Sequence, residues 1–514
     1  MNIKTTHQFI AALLSSLLAA PAMAEALLPV QLQRIRPVSE RSSPASKIKY
    51  KTEYGPAAQE PASPPNLTDE QFQKLADFLI PDPQNPADGL TPGIIDRLMK
   101  VLGELDMYYK RPIPQSEWDR LIKEMQDDFI KKNGQPGALT TLSTNQWDQS
   151  INEMLRGVVA KLGDPHTTFM DPKQAAAFNG SMTGKDFGGI GASLKKVPDG
   201  AELIIVFPDS PAKKADLRPG DVVTAIDGVP TKDQDLDLVV TRMRGEAGTP
   251  VNIRIKRLDE PVEVTRAAIP PREIFAKMAA PKVGYVYFSQ FSEEIDEKVF
   301  RQIDRLVRDG ATKLILDVRG NPGGLLSMAD SIASEFLADE DIIETTKRQE
   351  RVQKRTHTDG RGRYYGMPLA IIVNGYSASA SEVIAAALQQ HKKATVIGSQ
   401  SYGKGSFQQV HPTVLPLYSY TGDVISYYQD GTLIKITEGG WYPPNDRSIE
   451  GKHDPATGMN IPESGGIVPD EIAKLSHDDE MKVMAGILAQ LYQQVAPAVA
   501  DPQLDKAIEV LDRR

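Results

Sequence analysis

Apolar residues recur at spacings of three and four along the first third of the chain, and this period predicts amphipathic helices. The segments with this period are TDEQFQKLADFLI, PGIIDRLMKVLGELDMYY, SEWDRLIKEMQDDFIKK and TNQWDQSINEMLRGVVAKLG. Together they predict an α-helical N-terminal domain over residues 68–180.

The period changes near residue 187, where short apolar runs bounded by glycine, proline and aspartate predict strands. A hairpin of FGGIGASLKKV and AELIIVF comes first, followed by a short helix over SPAKKADL, a strand over VVTAIDG and a helix over DQDLDLVVTRMRG. TPVNIRIKRL and VEVTRAAI complete the predicted sheet. These elements predict a small separate domain over residues 186–272.

The rest of the chain alternates apolar strands with helices. VGYVYFSQFS, ATKLILDVRGNPGGLL and MPLAIIVN have the pattern of strands, and a helical segment follows each of them. Because repeated strand–helix units are typical of α/β folds, we expect an α/β core over residues 281–475. Residues 476–514 are predicted to form C-terminal helices, whose apolar face fits either self-association or packing within the chain.

The N-terminal segments predict export. Residues 1–24 combine Lys4, an apolar stretch too short to span a bilayer comfortably and a small-residue site ending at Ala24, which is the pattern of a secretory signal peptide. Residues 25–67 are rich in Pro, Ser, Gln, Lys and Arg without apolar periodicity, so we expect a disordered arm. No later segment is apolar for long enough to cross a membrane, and the predicted location is therefore the bacterial periplasm, in soluble form.

Composition removes several classes of function. The chain has no cysteine, which excludes disulfides and thiolate metal sites, and we expect neither a metal nor a cofactor. The net charge is −9, or −10 once the one lysine of the signal peptide is removed, and no long basic run is present. Nucleic acid is therefore not an expected partner.

The FGGIG loop at the start of the second predicted domain is a candidate binding element. Gly188, Gly189 and Gly191, with Ile190 among them, permit backbone N–H groups to converge on a carboxylate while a peptide adds as a strand beside them. The glycines alone favour a simple glycine-rich turn. Together with SPAKKADLRPGDVVTAIDG, however, the block resembles a PDZ domain, which implies binding of a polypeptide C-terminus.

The GNPGG segment follows a predicted buried strand and precedes a new helix. It resembles the GNSGG loop of chymotrypsin-like proteases, but Pro322 occupies the serine position, so this loop supplies no nucleophile. It can still supply a backbone N–H to an oxyanion, and Gly324 is the preferred donor. A tight strand-to-helix turn is the alternative interpretation.

The candidate nucleophile lies in NGYSASASE, on a predicted strand-to-helix turn. Among its three serines, only Ser379 has a glutamate three residues later, Glu382, which is a capping-box pattern. A helix start also receives an oxyanion well, because its first N–H groups, including that of Ala380, point outward. The residues alone leave both roles open for Ser379, helix cap and nucleophile.

No histidine motif supplies a base for this serine, whereas Lys404 stands between two glycines in YGKGSFQ. In a predicted strand, Lys404 and Gln408 share a face, with Tyr402, Phe407 and Val410 nearby. A lysine whose pKa falls towards neutrality through burial can deprotonate a serine, and Gln408 can accept an ammonium proton. A surface lysine in a glycine-bearing loop is the alternative.

Several motifs in order point to one family. GDPHTTFMDP, the PDZ-like block, LDVRGNPGGLL, VNGYSASASE, GKGSFQ and WYPPNDRSIEGK with GIVPD lie between about residue 90 and residue 475. The combination resembles the C-terminal processing peptidases, also called tail-specific proteases. The resemblance implies that Ser379 is the nucleophile, that Lys404, 25 residues later, is its base, and that Gln408 completes a Ser-Lys-Gln site.

The resemblance also implies a fold and a reaction. The fold is a multidomain α/β protein with a crotonase-like or ClpP-like peptidase core and an inserted PDZ domain. Enzymes of this kind cut exported proteins near an apolar C-terminus through an acyl-enzyme, and cell-wall hydrolases and lipoproteins are frequent substrates. An adaptor protein and a homo-oligomer are compatible with the same organisation.

Two alternatives and two departures from the family pattern remain. A Ser-His-Asp hydrolase would use His166 or His411 as its base, whereas a PDZ scaffold would carry an inactive core. Residues 417–428 and 453–465 are longer than the usual hairpins of the family, and the sequence assigns them no role.

Overall fold

A computed structural model of the chain describes residues 50–54, 66–81, 87, 89–139, 142–182, 187–234, 236–269, 273–418, 424–454, 459–492 and 499–513. The predicted signal peptide and most of the predicted arm lie outside the described residues. The chain forms two compact units. The first contains the described residues of Gln59–Ala175 and Gln408–Gly439, and the second contains those of Ile48–Ala58, Ala176–Phe407 and Gly440–Arg514.

Helices and strands are numbered in chain order. The helices are α1 Asp69–Leu79, α2 Pro92–Tyr108, α3 Gln115–Asn133, α4 Thr144–Lys161, α5 Pro172–Met182, α6 Pro211–Lys214, α7 Leu236–Met243, α8 Ile295–Arg308, α9 Leu326–Ser334, α10 Ala380–Gln390, α11 His477–Leu491 and α12 Pro502–Asp512. The strands are β1 Tyr50–Tyr54, β2 Thr168–Met170, β3 Phe187–Gly189, β4 Ala192–Val197, β5 Gly200–Val206, β6 Val222–Ile226, β7 Val229–Pro230, β8 Pro250–Ile255, β9 Val262–Thr265, β10 Ala267–Ile269, β11 Ile274–Ala280, β12 Val283–Phe288, β13 Lys313–Asp317, β14 Ile342–Arg348, β15 Arg351–Thr358, β16 Leu369–Val373, β17 Ala394–Gly398, β18 Ser406–Tyr418, β19 Val424–Tyr442 and β20 Glu471–Ile472. Among the described helices, none has both the length and the apolar content that crossing a membrane requires.

The first unit is built on the four long helices that the apolar period predicts. α1 and α4 each begin with a complete capping box, at Thr68 and at Ser143. The apolar faces of α1 to α4 form one buried core, which also includes Phe169 of β2 and Ile434 and Ile436 of β19. β2 pairs antiparallel with β19. This unit therefore contains strand pairing as well as the predicted helices.

Residues 187–269 have a core of their own within the second unit. Their sheet has the order β4-β5-β6-β8-β9, so β4 lies at an edge, and α7 contacts it. The segment FGGIGASLKKV is not the single strand of a hairpin that we predicted. Gly191 turns the chain with a φ of 74°, so β3 separates from β4 and pairs with β10.

The remaining part of the second unit is a three-layer α/β core. A sheet of order β11-β12-β13-β16-β17-β20 runs through it, parallel from β12 onwards, with β11 antiparallel at one edge. β12, β16 and β17 are buried at every position, as expected of parallel strands covered on both faces. Helices α8 to α10 pack on one face, and α11 and α12 pack on the other. The predicted multidomain α/β class is confirmed.

β1 lies within residues 25–67, for which the composition predicts disorder. It pairs antiparallel with β15, from Tyr50 opposite Thr358 to Tyr54 opposite Lys354. The expectation is wrong for these five residues because YKTEY alternates aromatic or β-branched residues with charged ones, which is the period of a strand.

Candidate functional site

Two of the sequence motifs meet at the carboxyl edge of the parallel sheet. β13 and β16 are neighbours, so GNPGG after β13 and NGYSASASE after β16 begin side by side. The Ala378 N–H donates to the Asn321 carbonyl at 3.1 Å, and the Ser381 hydroxyl donates to the same carbonyl at 2.9 Å. Direct hydrogen bonds therefore join the two loops.

The structure distinguishes the three serines of NGYSASASE. Ser377 is buried and donates its hydroxyl proton to the carbonyl of Val318 at 2.8 Å, and Ser381 is buried and donates to Asn321. Ser379 instead is half-buried, with a φ of 55° and a ψ of −117° at the start of α10. A non-glycine residue in such a conformation stores strain, and a strained strand-to-helix turn exposes a serine hydroxyl at the nucleophile elbow of α/β-hydrolases.

Of the two predicted oxyanion donors, Ala380 directly follows this serine, and Gly324 follows Gly323, which lies against the serine turn. Ala380 is the first residue of α10, so its N–H has no partner within the helix. A Cβ added to Gly323 would lie 2.8 Å from the Ser379 Cβ and 2.9 Å from the Ala380 nitrogen, so only glycine fits. The Gly323 N–H donates to the Asn321 side chain, whereas those of Gly324 and Ala380 make no hydrogen bond within the described residues.

A buried carboxylate joins the Ser379 turn to the loop that carries Lys404. The Oε2 atom of Glu382 accepts the N–H of Ser379 at 2.8 Å and that of Lys404 at 2.9 Å. Its Oε1 atom accepts the Ser401 hydroxyl at 2.5 Å and the Gly403 N–H at 2.7 Å. Burial raises the pKa of Glu382 to about 7, although each of the four donors lowers it. The sequence indicated Glu382 only as the partner of a helix cap.

Lys404 lies in the loop before β18, and not within a strand as predicted. Gly403 has a φ of 82°, which interrupts an extended backbone just before the lysine. The Lys404 carbonyl accepts the indole N–H of Trp441 at 2.8 Å, and its side chain is half-buried. Phe407 is buried but Val410 is exposed, so Val410 does not contribute the apolar shielding that the sequence suggested.

The described residues of one of the two long insertions, 453–454 and 459–465, include two that contact this same loop. The His453 Nε2 lies 2.8 Å from the Tyr402 carbonyl, and the two rings stack with centroids 4.2 Å apart. Asn460 Nδ2 donates to the Ser401 carbonyl at 3.1 Å. The described part of the insertion therefore holds the backbone of the loop that carries the candidate base.

Gln408 lies on β18 and is the first residue of the segment Gln408–Gly439, which belongs to the first unit. Its Nε2 donates to the hydroxyl oxygen of Thr437 at 3.4 Å, which is a long hydrogen bond. The Thr437 N–H donates to the Thr167 hydroxyl oxygen at 3.0 Å, and that hydroxyl donates to Asp164 Oδ2 at 2.8 Å. The motif GDPHTTFMDP, which supplies Asp164 and Thr167, therefore reaches Gln408 through Thr437.

His411, one of the two alternative bases, is held between carboxylates of the first unit. Its Nδ1 lies 3.1 Å from Glu104 Oε2, and its Nε2 lies 2.8 Å from Glu438 Oε1. Burial lowers the pKa of His411, but these two carboxylates raise it to about 9. The imidazole is then doubly protonated at neutral pH and is no base. Within the described ranges, no group of His, Asp or Glu side chains is arranged to hold a metal ion.

The predicted carboxylate-binding loop presents its carbonyl groups to the protein. These carbonyls accept backbone N–H groups, Gly188 from Gly245 at 2.9 Å, Ile190 from Ala212 at 2.8 Å and Gly191 from Phe207 at 2.9 Å. Gly189 lies opposite Ala267 in the β3–β10 pair. The N–H groups of Ile190 and Gly191 make no hydrogen bond to any residue that the structure describes.

The sequence analysis missed a buried ion pair below the GNPGG loop. Arg319 is 1% exposed and donates to Asp317 and Asp501, and to the Gln503 side chain. The hydroxyl of Tyr285 donates to the same Asp317 at 2.7 Å. A charged pair at the end of an otherwise apolar strand, LDVR, was the available signal. The pair fixes the strand end from which the loop begins.

Comparison with known families matches two parts of the chain. A model of Peptidase family S41 matches residues 282–471, and a PDZ domain model matches residues 206–257. The prediction of a PDZ domain is therefore confirmed.

Curated relatives have similar sequences over much of the chain. A probable CtpA-like serine protease of Staphylococcus aureus is 31% identical over 363 residues, which cover 69% of each protein. A carboxy-terminal-processing protease of Bartonella bacilliformis is 33% identical over 300 residues, 56% of this chain and 64% of that protein. The match to a probable CtpA-like serine protease of Staphylococcus haemolyticus, 33% identical over 298 residues, spans 57% of the length of that relative.

A solved structure shares the fold. The photosystem II D1 C-terminal processing protease superposes with a TM-score of 0.53 at 22% identity, over 80% of this chain and 100% of that one. At this level of identity the comparison supports the arrangement of helices and sheets alone.

Proposed function

Because the chain belongs to peptidase family S41, we propose that it is a serine endopeptidase that recognises the C-terminal tail of protein substrates and cleaves them through an acyl-enzyme. Ser379 is the nucleophile, Lys404 is the base and Gln408 completes the site. One observation carries the assignment, since a single oxygen of Glu382 accepts the backbone N–H groups of both Ser379 and Lys404. The strained serine turn and the lysine loop are therefore neighbours.

The reaction is an acyl transfer. Neutral Lys404 takes the hydroxyl proton of Ser379 while the serine oxygen bonds to the carbonyl carbon of the substrate. The N–H groups of Gly324 and Ala380 stabilise the oxyanion of the tetrahedral intermediate. The lysine ammonium then protonates the leaving amine as the C–N bond breaks. Lys404 next deprotonates a water molecule, which attacks the ester, releases the new carboxylate and restores the serine hydroxyl.

The PDZ domain provides the recognition of a tail. β4 is an edge strand, so an extended peptide can pair with it, and α7 lies beside it. The N–H groups of Ile190 and Gly191 have no hydrogen-bond partner among the described residues, and they are suited to the terminal carboxylate together with Gly188 and Gly189. This arrangement supports substrates that present a free C-terminus.

The cellular setting is part of the same proposal. Signal peptide 1–24 exports the chain to the periplasm, where it acts on exported proteins with apolar C-termini, cell-wall hydrolases and lipoproteins among them. The domains are the helical region 68–180, the PDZ domain 186–272, the peptidase core 281–475 and the C-terminal helices 476–514. A Ser-His-Asp hydrolase based on His166 is the second candidate, whereas the hydrogen-bond acceptor that Ser379 and Lys404 share supports the Ser-Lys pair.

Substitution of the pair tests this proposal. The purified mature protein is incubated with an unfolded exported protein that ends in small apolar residues, and fragments are followed by mass spectrometry. Lys404→Ala should abolish cleavage about as completely as Ser379→Ala, because members of one catalytic unit act non-additively. Lys392→Ala, an exposed lysine, and His166→Ala should cleave normally. An indispensable His166 with a dispensable Lys404 would overturn the Ser-Lys assignment.

A second experiment tests the recognition of the tail. Amidation of the C-terminus of a peptide substrate removes a charge that several N–H groups bind, so cleavage at sub-saturating substrate should fall about tenfold or more. A small ester that reaches Ser379 without the PDZ domain serves as the control and should be hydrolysed equally in every preparation. Equal cleavage of acid and amide peptides would remove tail recognition from the proposal while leaving the Ser-Lys chemistry intact.

A further inference from the structure

The motif GDPHTTFMDP has no role in the reaction described above, yet it is connected to Gln408 through Thr437. We propose that Asp164 and Thr437 are positioning residues that set the orientation of the Gln408 amide, so that its Nε2 donates to Thr437 and its Oε1 is left as the acceptor that the proposed role requires. This inference rests on the proposed role of Gln408 in the Ser-Lys-Gln site.

Asp164 is the fixed end of the network. It is buried, and its Oδ1 and Oδ2 accept the His166 N–H at 3.1 Å and the Thr167 hydroxyl at 2.8 Å. Burial raises the pKa of Asp164, but the hydroxyls of Thr167 and Thr437 and the charge of Lys110 hold it below its usual value. An ionised carboxylate only accepts hydrogen bonds, so both hydroxyls must donate to it.

The hydrogen bond that Thr437 donates to Asp164 determines which hydrogen bond Thr437 can make with Gln408. Its hydroxyl has one proton, and the proton is used towards Asp164, which leaves the oxygen as the acceptor for Gln408 Nε2. Two backbone bonds hold the residue in place, since its N–H donates to Thr167 and its carbonyl accepts the Lys110 N–H at 2.8 Å. The hydroxyl therefore presents the same face to Gln408 throughout.

The consequence for Gln408 follows from the shape of an amide. Its NH2 group and its carbonyl oxygen are alternative ends of one planar group, and a rotation of about 180° exchanges them. With Nε2 bound to Thr437, the end that turns away is Oε1. An ammonium has three donors and no acceptor, so only the Oε1 end can bind it, and the reverse orientation would repel it.

The test removes the hydroxyl without changing the volume of the side chain. In Thr437→Val, Gln408 loses the acceptor that orients it, and kcat should fall about tenfold with little change in KM. The rising limb of the pH–rate profile should move to lower pH, because the ammonium loses an acceptor. Thr437→Ser keeps the hydroxyl and should restore both. Thr432→Val is the matched control, since the Thr432 hydroxyl on the same strand also donates to a carboxylate, that of Asp430, at 2.7 Å.

Double variants separate orientation from a general structural effect. Thr437→Val should cost nothing further in a Gln408→Ala background, where no amide remains to be oriented. It should also cost little in Gln408→Glu, because both ends of a carboxylate accept hydrogen bonds. A full loss in either background, or a Thr437→Val enzyme as active as Thr432→Val, would overturn the proposal.

Two further measurements keep the outcomes distinct. If Thr437→Val does not fold by circular dichroism, Asp164→Asn replaces it: an amide that donates to the Thr437 hydroxyl reverses the network, and the same fall in kcat is expected. Full activity of Asp164→Asn would reject the inference. Failure of the proposed function is visible separately, because wild-type protein would then not cleave, or Lys404→Ala would still do so.

Discussion

The buried ionisable clusters around Glu382 and around His411 are constructed in opposite ways. Glu382 in the second unit is a buried carboxyl group whose two oxygens accept from four neutral donors, three of them backbone N–H groups. His411 in the first unit is a cation between two carboxylates, those of Glu104 and Glu438, and it stacks on the ring of Tyr108 at 4.6 Å. Burial raises the pKa of Glu382, whereas at His411 burial lowers the pKa and the two carboxylates together more than offset it.

This difference predicts different roles for the two clusters, since one positions catalytic segments and the other stabilises the fold. Neutral donors do not compensate the burial of a charge as well as an opposite charge does, so the Glu382 cluster contributes little free energy of folding but fixes the backbone at two places. The His411 cluster balances charges and fixes side chains that the reaction does not use. We therefore expect substitutions at Glu382 to impair catalysis and substitutions at His411 to impair stability.

The largest effect is expected from His411→Ala. It leaves Glu104 and Glu438 facing each other without a cation, and loss of one partner from such a buried group costs about 3 to 5 kcal/mol of unfolding free energy. Urea unfolding at pH 7 measures this, while kcat per folded molecule should stay within about threefold of wild type. A loss below about 1 kcal/mol would show that solvent screens the cluster.

Glu382→Gln should produce the converse result. The amide NH2 group replaces one acceptor oxygen, so two donors lose their partner and the Ser379 turn and the Lys404 loop separate slightly. A misplacement of about 1 Å between reacting groups can lower kcat about a hundredfold, which the peptide cleavage assay measures.

The stability of Glu382→Gln should change little, because the substitution also removes a buried charge. Glu438→Gln, which removes a carboxylate from the other cluster, is the control and should retain its kcat. Normal cleavage by Glu382→Gln would mean that the two segments keep their positions without the carboxylate.

The smallest expected effect is a difference between the two clusters in how the free energy of unfolding depends on pH. The pKa of His411 is raised to about 9, so its stabilisation is complete below about pH 6.5 and disappears as the pH rises through 9, a loss of about 2 kcal/mol between pH 7 and 9.5. The pKa of Glu382 is raised to about 7, so ionisation destabilises the fold between about pH 4.5 and 7. In urea unfolding at pH 5, 7 and 9.5, the acid-to-neutral fall should be smaller in Glu382→Gln than in wild type, and the alkaline fall should be smaller in His411→Ala. Unchanged alkaline behaviour of His411→Ala would contradict this.

The sequence predicted the parts of the molecule that follow from local periodicity. The helices α1 to α4 and the strand–helix units of the core have apolar periods that are visible without any partner. β1 was missed because its pairing depends on β15, about three hundred residues later in the chain. The contact of Gln408 with Thr437 likewise depends on the register between the neighbouring strands β18 and β19, which no local period encodes.

The candidate site likewise combines features that the local sequence predicts with features that depend on tertiary structure. The pattern from Ser379 to Glu382 predicts a helix cap, and the carboxylate does accept the Ser379 N–H. Its second set of donors comes from Ser401, Gly403 and Lys404, which only tertiary structure brings to it. Spacing singles out Ser379 as the serine with a glutamate three residues later, but it does not encode the strained backbone and partial exposure that distinguish Ser379 from the buried Ser377 and Ser381.

The fluorescence of the Trp441 indole can report the position of the loop that carries Lys404. The chain has three tryptophans, and Trp441 is the one whose N–H donates to the Lys404 carbonyl, whereas Trp118 and Trp147 lie in the helical core of the first unit. Indole emission responds to the loss of a hydrogen bond and to entry of water. With phenylalanine at positions 118 and 147, the remaining fluorescence would report displacement of the lysine loop during rapid mixing with substrate, before any peptide bond is cut.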